Sequence, residues 1–224
     1  MSVLKINGSI IETVIFDFDG TLAKLNIDFQ RMREEVVKII ASYGIQTNLF
    51  KTNFVLEMIN LATDILNSNS PQKAKMLREK AMTFIENIEL RAAEEGELFA
   101  HTRELLTFLK AHNISRAVVS RNCEKAIFKA FPDILSYCDA VVCRDLVKNV
   151  KPNPHHLHTV MEKIKGTPTS TLMVGDHPLD IETGRQAGTF TAGVLTGHFQ
   201  EIDFLRAGAD LVLPRAVDLI KIIS

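Results

Sequence analysis

Two aspartates stand two residues apart at the end of an apolar run in VIFDFDGTL, Val14 to Leu22. On an extended strand residues i and i+2 point the same way, so Asp17 and Asp19 project together from the strand end. Neighbouring carboxylates repel and resist joint ionisation. Such a pair needs a cation or a shared proton, and it can then supply a nucleophile, a proton donor or a metal ligand. Gly20 and Thr21 follow as a turn that brings backbone N–H groups close. An accidental acidic pair would sit on a surface turn, whereas this one continues a strand of buried type.

Three more apolar runs end in residues of matching chemistry. Ala117–Val119 runs into Ser120-Arg121-Asn122, a hydroxyl and an amide opening a helix, where backbone N–H groups favour an anion. Ala140–Cys143 precedes Lys151-Pro152-Asn153-Pro154, and the proline biases Lys151 to an extended conformation. Thr171–Val174 runs into Gly175-Asp176-His177-Pro178-Leu179-Asp180, with Asp180 one helical turn beyond Asp176. Singly, Ser120 and Asn122 read as helix caps and Lys151 as a solvated charge. Jointly, four strand ends bearing Asp-x-Asp, Ser-x-Asn, Lys-Pro and Gly-Asp-x-x-x-Asp are hard to obtain by chance.

The elements that must position these residues alternate. Short apolar runs at Thr13–Phe16, Arg116–Val119, Ala140–Cys143, Thr171–Val174, Thr191–Leu195 and Asp210–Leu213 are too continuous for half-exposed strands. They suit a parallel sheet covered on both faces. Between them lie helical patterns: Leu105, Leu106, Phe108 and Leu109; the segment Glu124–Phe131; and Leu157, Val160, Met161 and Ile164. The alternation predicts an α/β fold with a doubly wound, mainly parallel sheet. Asn7-Gly8 between two short apolar stretches predicts a small N-terminal hairpin.

One region breaks the rhythm. From about Ala23 to Glu95 only helix signals occur. Asp28 can cap a helix bearing Phe29, Met32, Val36, Ile39, Ile40 and Tyr43 on one face, closed by Gly44. A second helix is expected from about Thr52 to Leu66, with Val55, Met58, Ile59, Ala62 and Ile65 inward. A third begins at Ser70-Pro71 and ends near Gly96. The expected organisation is therefore a core of 1–22 and 97–224 with an inserted all-helical domain at 23–96.

Composition excludes some function classes. Of 224 residues, 46% are hydrophobic and 24% charged, an ordinary globular balance. A net charge of −1 argues against nucleic acid or an anionic membrane as partner. No apolar run approaches the roughly 20 residues that span a bilayer, and the first residues do not read as a signal peptide. Cys123, Cys138 and Cys143 are odd in number and fit no metal spacing. They are expected to be reduced thiols in a cytoplasmic protein, a monomer or homodimer.

The motif set resembles the haloacid dehalogenase superfamily of hydrolases. DFDGTL matches its first motif, and SRN, KPNP and GDHPLD match the second, third and fourth; MVGD, DIETGRQAG and AGVLTG look like its phosphoglycolate-phosphatase-like branch. The resemblance implies a Rossmann-like core, a helical cap inserted between the first two motifs, and magnesium-dependent hydrolysis of a small phosphorylated metabolite. It implies Asp17 as nucleophile and Asp19 as acid and base. Magnesium would be held by Asp17, the backbone carbonyl of Asp19, and Asp176. Ser120 and Lys151 would hold the phosphoryl oxygens, with Arg121 counted among the phosphate-binding residues, Asn122 supporting the Ser120 loop, and Gly20, Thr21 and Gly175 supporting the site. Asp180 would assist the metal through water or orient Lys151. A phosphosugar mutase would need the same two aspartates, and a non-catalytic phospho-ligand-binding protein is the rival outside the enzyme class.

The chain departs from the family pattern in two places. Leu98-Phe99-Ala100-His101 stands where relatives often carry Pro-Gly, and AKLNIDF lacks the acidic-serine signature usual in phosphoglycolate phosphatases. In the outgoing segment and the helix after it, one of Lys24, Asn26 or Arg33 is expected to contact the leaving group. Lys148 lies near Lys151 but lacks the proline. His155, His156 and His158 resemble a metal cluster by composition, and read better as the start of a surface helix after Pro154.

Overall fold

The computed structural model describes residues 3–223. A hairpin of β1 (Leu4–Ile6) and β2 (Ser9–Ile11) turns at Asn7-Gly8, as the sequence predicts. The chain then enters β3 (Thr13–Phe16), leaves through β4 (Ala23–Lys24), and forms α1 (Phe29–Ala41), α2 (Val55–Asn67) and α3 (Pro71–Glu95). It returns through β5 (Glu97–Leu98) to α4 (Thr102–Ala111), β6 (Ser115–Ser120), α5 (Glu124–Ala130), α6 (Ile134–Tyr137) and β7 (Ala140–Cys143). Then come α7 (His155–Ile164), β8 (Thr171–Gly175), α8 (Pro178–Gln186), β9 (Phe190–Val194), α9 (Glu201–Ala207) and β10 (Leu211–Leu213).

Six strands form one parallel sheet in the order β10-β9-β8-β3-β6-β7. From central β3 the chain builds to one side through β6 and β7, then crosses to build the other through β8, β9 and β10. The order reverses beside β3, and such a switch point opens a crevice at the carboxyl ends of the strands. Both faces are covered, which is why the strands read as unbroken apolar runs. On one face Ile15, Ala117, Val119, Val142 and Met173 pack against Leu157, Val160 and Met161 of α7. Elsewhere in the core Leu105, Leu106 and Leu109 of α4 are fully buried. Each such side chain contributes about 1.5–3 kcal/mol of burial, enough for a small core to tolerate like charges gathered at its strand ends.

The chain divides into two compact units, residues 1–25 with 93–224 and residues 26–92. The expected boundaries at 22/23 and 96/97 fall at a two-residue ladder, in which Ala23 pairs with Leu98 and Lys24 with Glu97. The sequence reading put no strand at Ala23–Lys24, because two residues carry no readable period. Thr102 Oγ1 and the Phe99 N–H both donate to the Leu22 carbonyl, at 2.8 and 3.0 Å, tying the exit and return of the chain together.

In the helical unit, Asp28 caps α1 by accepting from the Arg31 N–H at 2.9 Å. Met32, Val36 and Ile40 of α1 and Met58, Ile59 and Ala62 of α2 are buried. Phe29 and Ile65, expected inward, are largely exposed, since each lies in a terminal turn beyond its helix's buried span. α2 starts at Val55 rather than Thr52 because Thr52 Oγ1 accepts from the Phe54 N–H at 3.1 Å, a local turn that competes with helix. No helix among the described residues is long and apolar enough to cross a membrane. The three cysteines are buried and joined in no disulfide, and burial pushes the Cys138 thiol up to about 12.

Candidate active site

Asp17 follows β3 directly, and its N–H donates to the Val174 carbonyl of β8 at 2.8 Å, which fixes the two neighbouring strand ends in register. The chain then closes tightly. Phe18 offers its carbonyl to the N–H groups of Leu22 and Ala23 at 2.9 and 3.0 Å, and the Gly20 N–H reaches the Ala23 carbonyl at 2.7 Å. Within this turn the Asp19 carboxylate accepts from the Leu25 N–H at 2.9 Å. Asp19 is thus held by backbone, apart from the carboxylate cluster.

That cluster comprises Asp17, Asp176 and Asp180, whose oxygens lie within 4.8 Å of one another. Lys151 sits among them, 1% exposed, with Nζ 2.8 Å from Asp17 Oδ1 and 2.7 Å from Asp180 Oδ1. Burial works against its charge, but Asp17 and Asp180 outweigh burial and raise the lysine pKa. Asp180 Oδ1 accepts from Lys151 Nζ, the contact that orienting the lysine requires. Its other oxygen accepts from the His177 N–H at 3.2 Å and anchors the start of α8.

The remaining acidic charge is uncompensated. Burial pushes the Asp17 pKa up to about 6, against Lys151 and with Asp180. Asp176 is pushed up to about 8 by burial and then by Asp17, Asp180 and Asp19. Asp176 is also tightly enclosed. Thr21 Oγ1 donates to it at 3.2 Å, and a Cβ at Gly20 or at Gly197 would lie 2.2 Å from its Oδ2. Gly20 further adopts φ +84°, a region costly for other residues. A Cβ at Gly175 would collide with Asp180 in the same way.

The second strand end is held by its own loop. Ser120 and Asn122 are buried, and the Asn122 N–H donates to Ser120 Oγ at 3.2 Å. The Arg121 guanidinium donates to the Lys151 carbonyl and so ties the Ser120 loop to the segment that carries the lysine. Lys148 is exposed while Lys151 is buried, which separates the two candidate lysines. Lys24, Asn26 and Arg33 are all exposed; Lys24 lies in β4, and Asn26 and Arg33 belong to the helical unit.

Four contributors escaped the sequence reading. Gly197 lines the Asp176 carboxylate, and the Thr196 hydroxyl donates to the Gly20 carbonyl. Buried Arg144 donates to the Arg121 carbonyl at 3.2 Å. His156, expected in a surface helix, is fully buried against the Lys151 backbone. Thr196 and Gly197 carried a weak signal in AGVLTG; Arg144 and His156 carried none, since charged and imidazole groups are read as surface by default.

The family model described as haloacid dehalogenase-like hydrolase matches residues 14–194. The chain belongs to that family. An N-acetylmuramic acid 6-phosphate phosphatase of Pseudomonas putida is 29% identical over 223 residues, covering 96% of both chains. A pyrophosphatase, PpaX, of Oceanobacillus iheyensis is 27% identical, covering 96% of this chain and 97% of its own. The structure of a predicted phosphoglycolate phosphatase from Haemophilus somnus superposes with a TM-score of 0.64 at 20% identity, over 95% of this chain and 97% of that one. Within this haloacid dehalogenase-like family the chain is a hydrolase with a parallel six-stranded sheet.

Proposed function

We propose that the protein is a magnesium-dependent phosphatase that hydrolyses a small phosphorylated metabolite through an aspartyl-phosphate at Asp17. The observation that carries this is Lys151 Nζ bridging Asp17 and Asp180 beside Asp176, at the switch point of a parallel sheet. The relatives named as phosphatases support the reaction class.

The donor set fits the metal. Asp17 and Asp176 offer hard carboxylate oxygens with no histidine or cysteine in the cluster, which suits magnesium rather than zinc. Burial and then the Asp17, Asp180 and Asp19 carboxylates push the Asp176 pKa up to about 8, a load that a bound cation would relieve. Asp17, Asp176 and the Asp19 carbonyl would hold the ion. Bound there, magnesium supplies positive charge that lets a carboxylate meet a phosphate dianion. Asp17 attacks phosphorus, and the bond to the leaving oxygen breaks as Asp19 protonates it. Asp19 then takes a proton from water, which attacks the same phosphorus and frees Asp17 and phosphate. Lys151, Ser120 and loop N–H groups hold the phosphoryl oxygens through the transfer. The helical insertion is proposed as the selecting cap, with Lys24, Asn26 or Arg33 toward the leaving group, in a cytoplasmic enzyme.

A screen of phosphorylated metabolites tests the reading. With magnesium, at least one phosphomonoester is turned over at 1 s⁻¹ or more, about the low end of ordinary kcat values, and chelation abolishes it. A folded, metal-loaded protein idle on the whole panel would make it a binding protein. Asp19→Asn should slow alkyl phosphates by about 10²–10⁴-fold and activated aryl phosphates by far less, because only a poor leaving group needs the proton. Equal losses in single-turnover phosphorylation of Asp17 would remove Asp19 as the acid.

A further inference from the structure

Lys151 lies outside every strand and helix, so no ladder satisfies its backbone or sets its direction. Two side chains do so instead. The Arg121 guanidinium takes the Lys151 carbonyl, and His156 Nδ1 accepts from the Lys151 N–H at 3.2 Å. On its far side, His156 Nε2 lies 3.1 Å from the Val142 carbonyl of β7. An N–H can only donate and a carbonyl can only accept, so Nδ1 is bare and Nε2 carries the hydrogen. The imidazole is fully buried, and burial and then Lys151 hold its pKa down at about 3. It is therefore a fixed neutral spacer between β7 and the lysine.

We infer that His156 is a positioning residue, which sets the Lys151 backbone against β7 and so aims Nζ at the phosphoryl oxygens. The inference rests on the reading of Lys151 as a phosphate-holding group. An ammonium on a four-carbon stem is a point charge with wide freedom, and its placement depends on where the stem is rooted. A shift near 1 Å in such a group can cost about 10²-fold in rate. His156 does not touch substrate, so its effect passes wholly through the Lys151 amide.

The two ring contacts separate by substitution. In His156→Asn the side-chain oxygen stands where Nδ1 stood and keeps the Lys151 contact while losing Val142. In His156→Gln the terminal amide reaches toward Val142 and no acceptor remains at the Nδ1 position. The readouts are kcat/KM with magnesium, the competitive Ki of inorganic phosphate, and the melting temperature. The asparagine variant should stay within about threefold of the parent in kcat/KM. The glutamine variant should lose about 10–100-fold, with KM and phosphate Ki rising together. Both are less stable, so melting temperature does not order them as activity does. Equal kcat/KM in the two variants, or losses that follow melting temperature alone, would overturn the inference. Lys151→Met, which removes the charge, measured alongside isolates the underlying reading. If it binds phosphate as the parent does, the role of Lys151 fails and the inference falls with it. If it loses phosphate while the two His156 variants match, only the role of His156 is wrong.

Discussion

Asp17→Asn should abolish steady phosphate release, with kcat down by about 10⁴-fold or more, while the fold persists. The amide has the shape of the carboxylate but cannot displace an alkoxide from phosphorus. Stability should not suffer without metal. A carboxylate whose folded pKa lies at about 6, above its ordinary 3.8, binds its proton more tightly in the folded state. Its ionisation thus removes stability as pH rises through that window, and the neutral amide escapes this cost. Lys151 keeps Asp180 at 2.7 Å as a partner. The measurements are single- and multiple-turnover phosphate release on the purified variant and its melting temperature at pH 8 without metal. Turnover at a tenth of the parent rate would remove Asp17 as the nucleophile.

Lys151→Met should damage both stability and activity. The ammonium is 1% exposed and joins Asp17 to Asp180, so its loss leaves the buried Asp180 and the partly buried Asp17 without their cation. Breaking a buried pair by removing one partner costs about 3–5 kcal/mol. Removing a charge aimed at the transferring group should cost at least about 10²-fold in kcat/KM. The stability deficit narrows in acid, where protons neutralise Asp17 and Asp176, and narrows again when magnesium is added. Activity does not return with either. Denaturant unfolding at pH 5 and pH 8, with and without magnesium, separates these effects. A variant as stable as the parent at pH 8 without metal would show that the carboxylates do not depend on this lysine.

How much was readable depends on the distance over which each feature is decided. The strand positions of Val14, Ile15 and Phe16, the Asn7-Gly8 turn, the Asp28 cap and the proline start of α3 are written within a few residues of chain. Period, capping chemistry and turn preference act over that range, so sequence alone determined the α/β class, the helical insertion and the placement of charged groups at four strand ends. Strand order, the exposure of Phe29 and Ile65, and the two-residue ladder of β4 and β5 depend on partners far along the chain. The same holds inside the site. Gly197 meets Asp176 from 21 positions away, His156 joins the Lys151 loop to Val142 of β7, and Arg144 props a loop 23 residues before it. A glycine, a histidine and an arginine look the same locally whether they face water or a buried carboxylate. Only tertiary packing removes the water, and removing the water turns these residues into the walls and braces of the site.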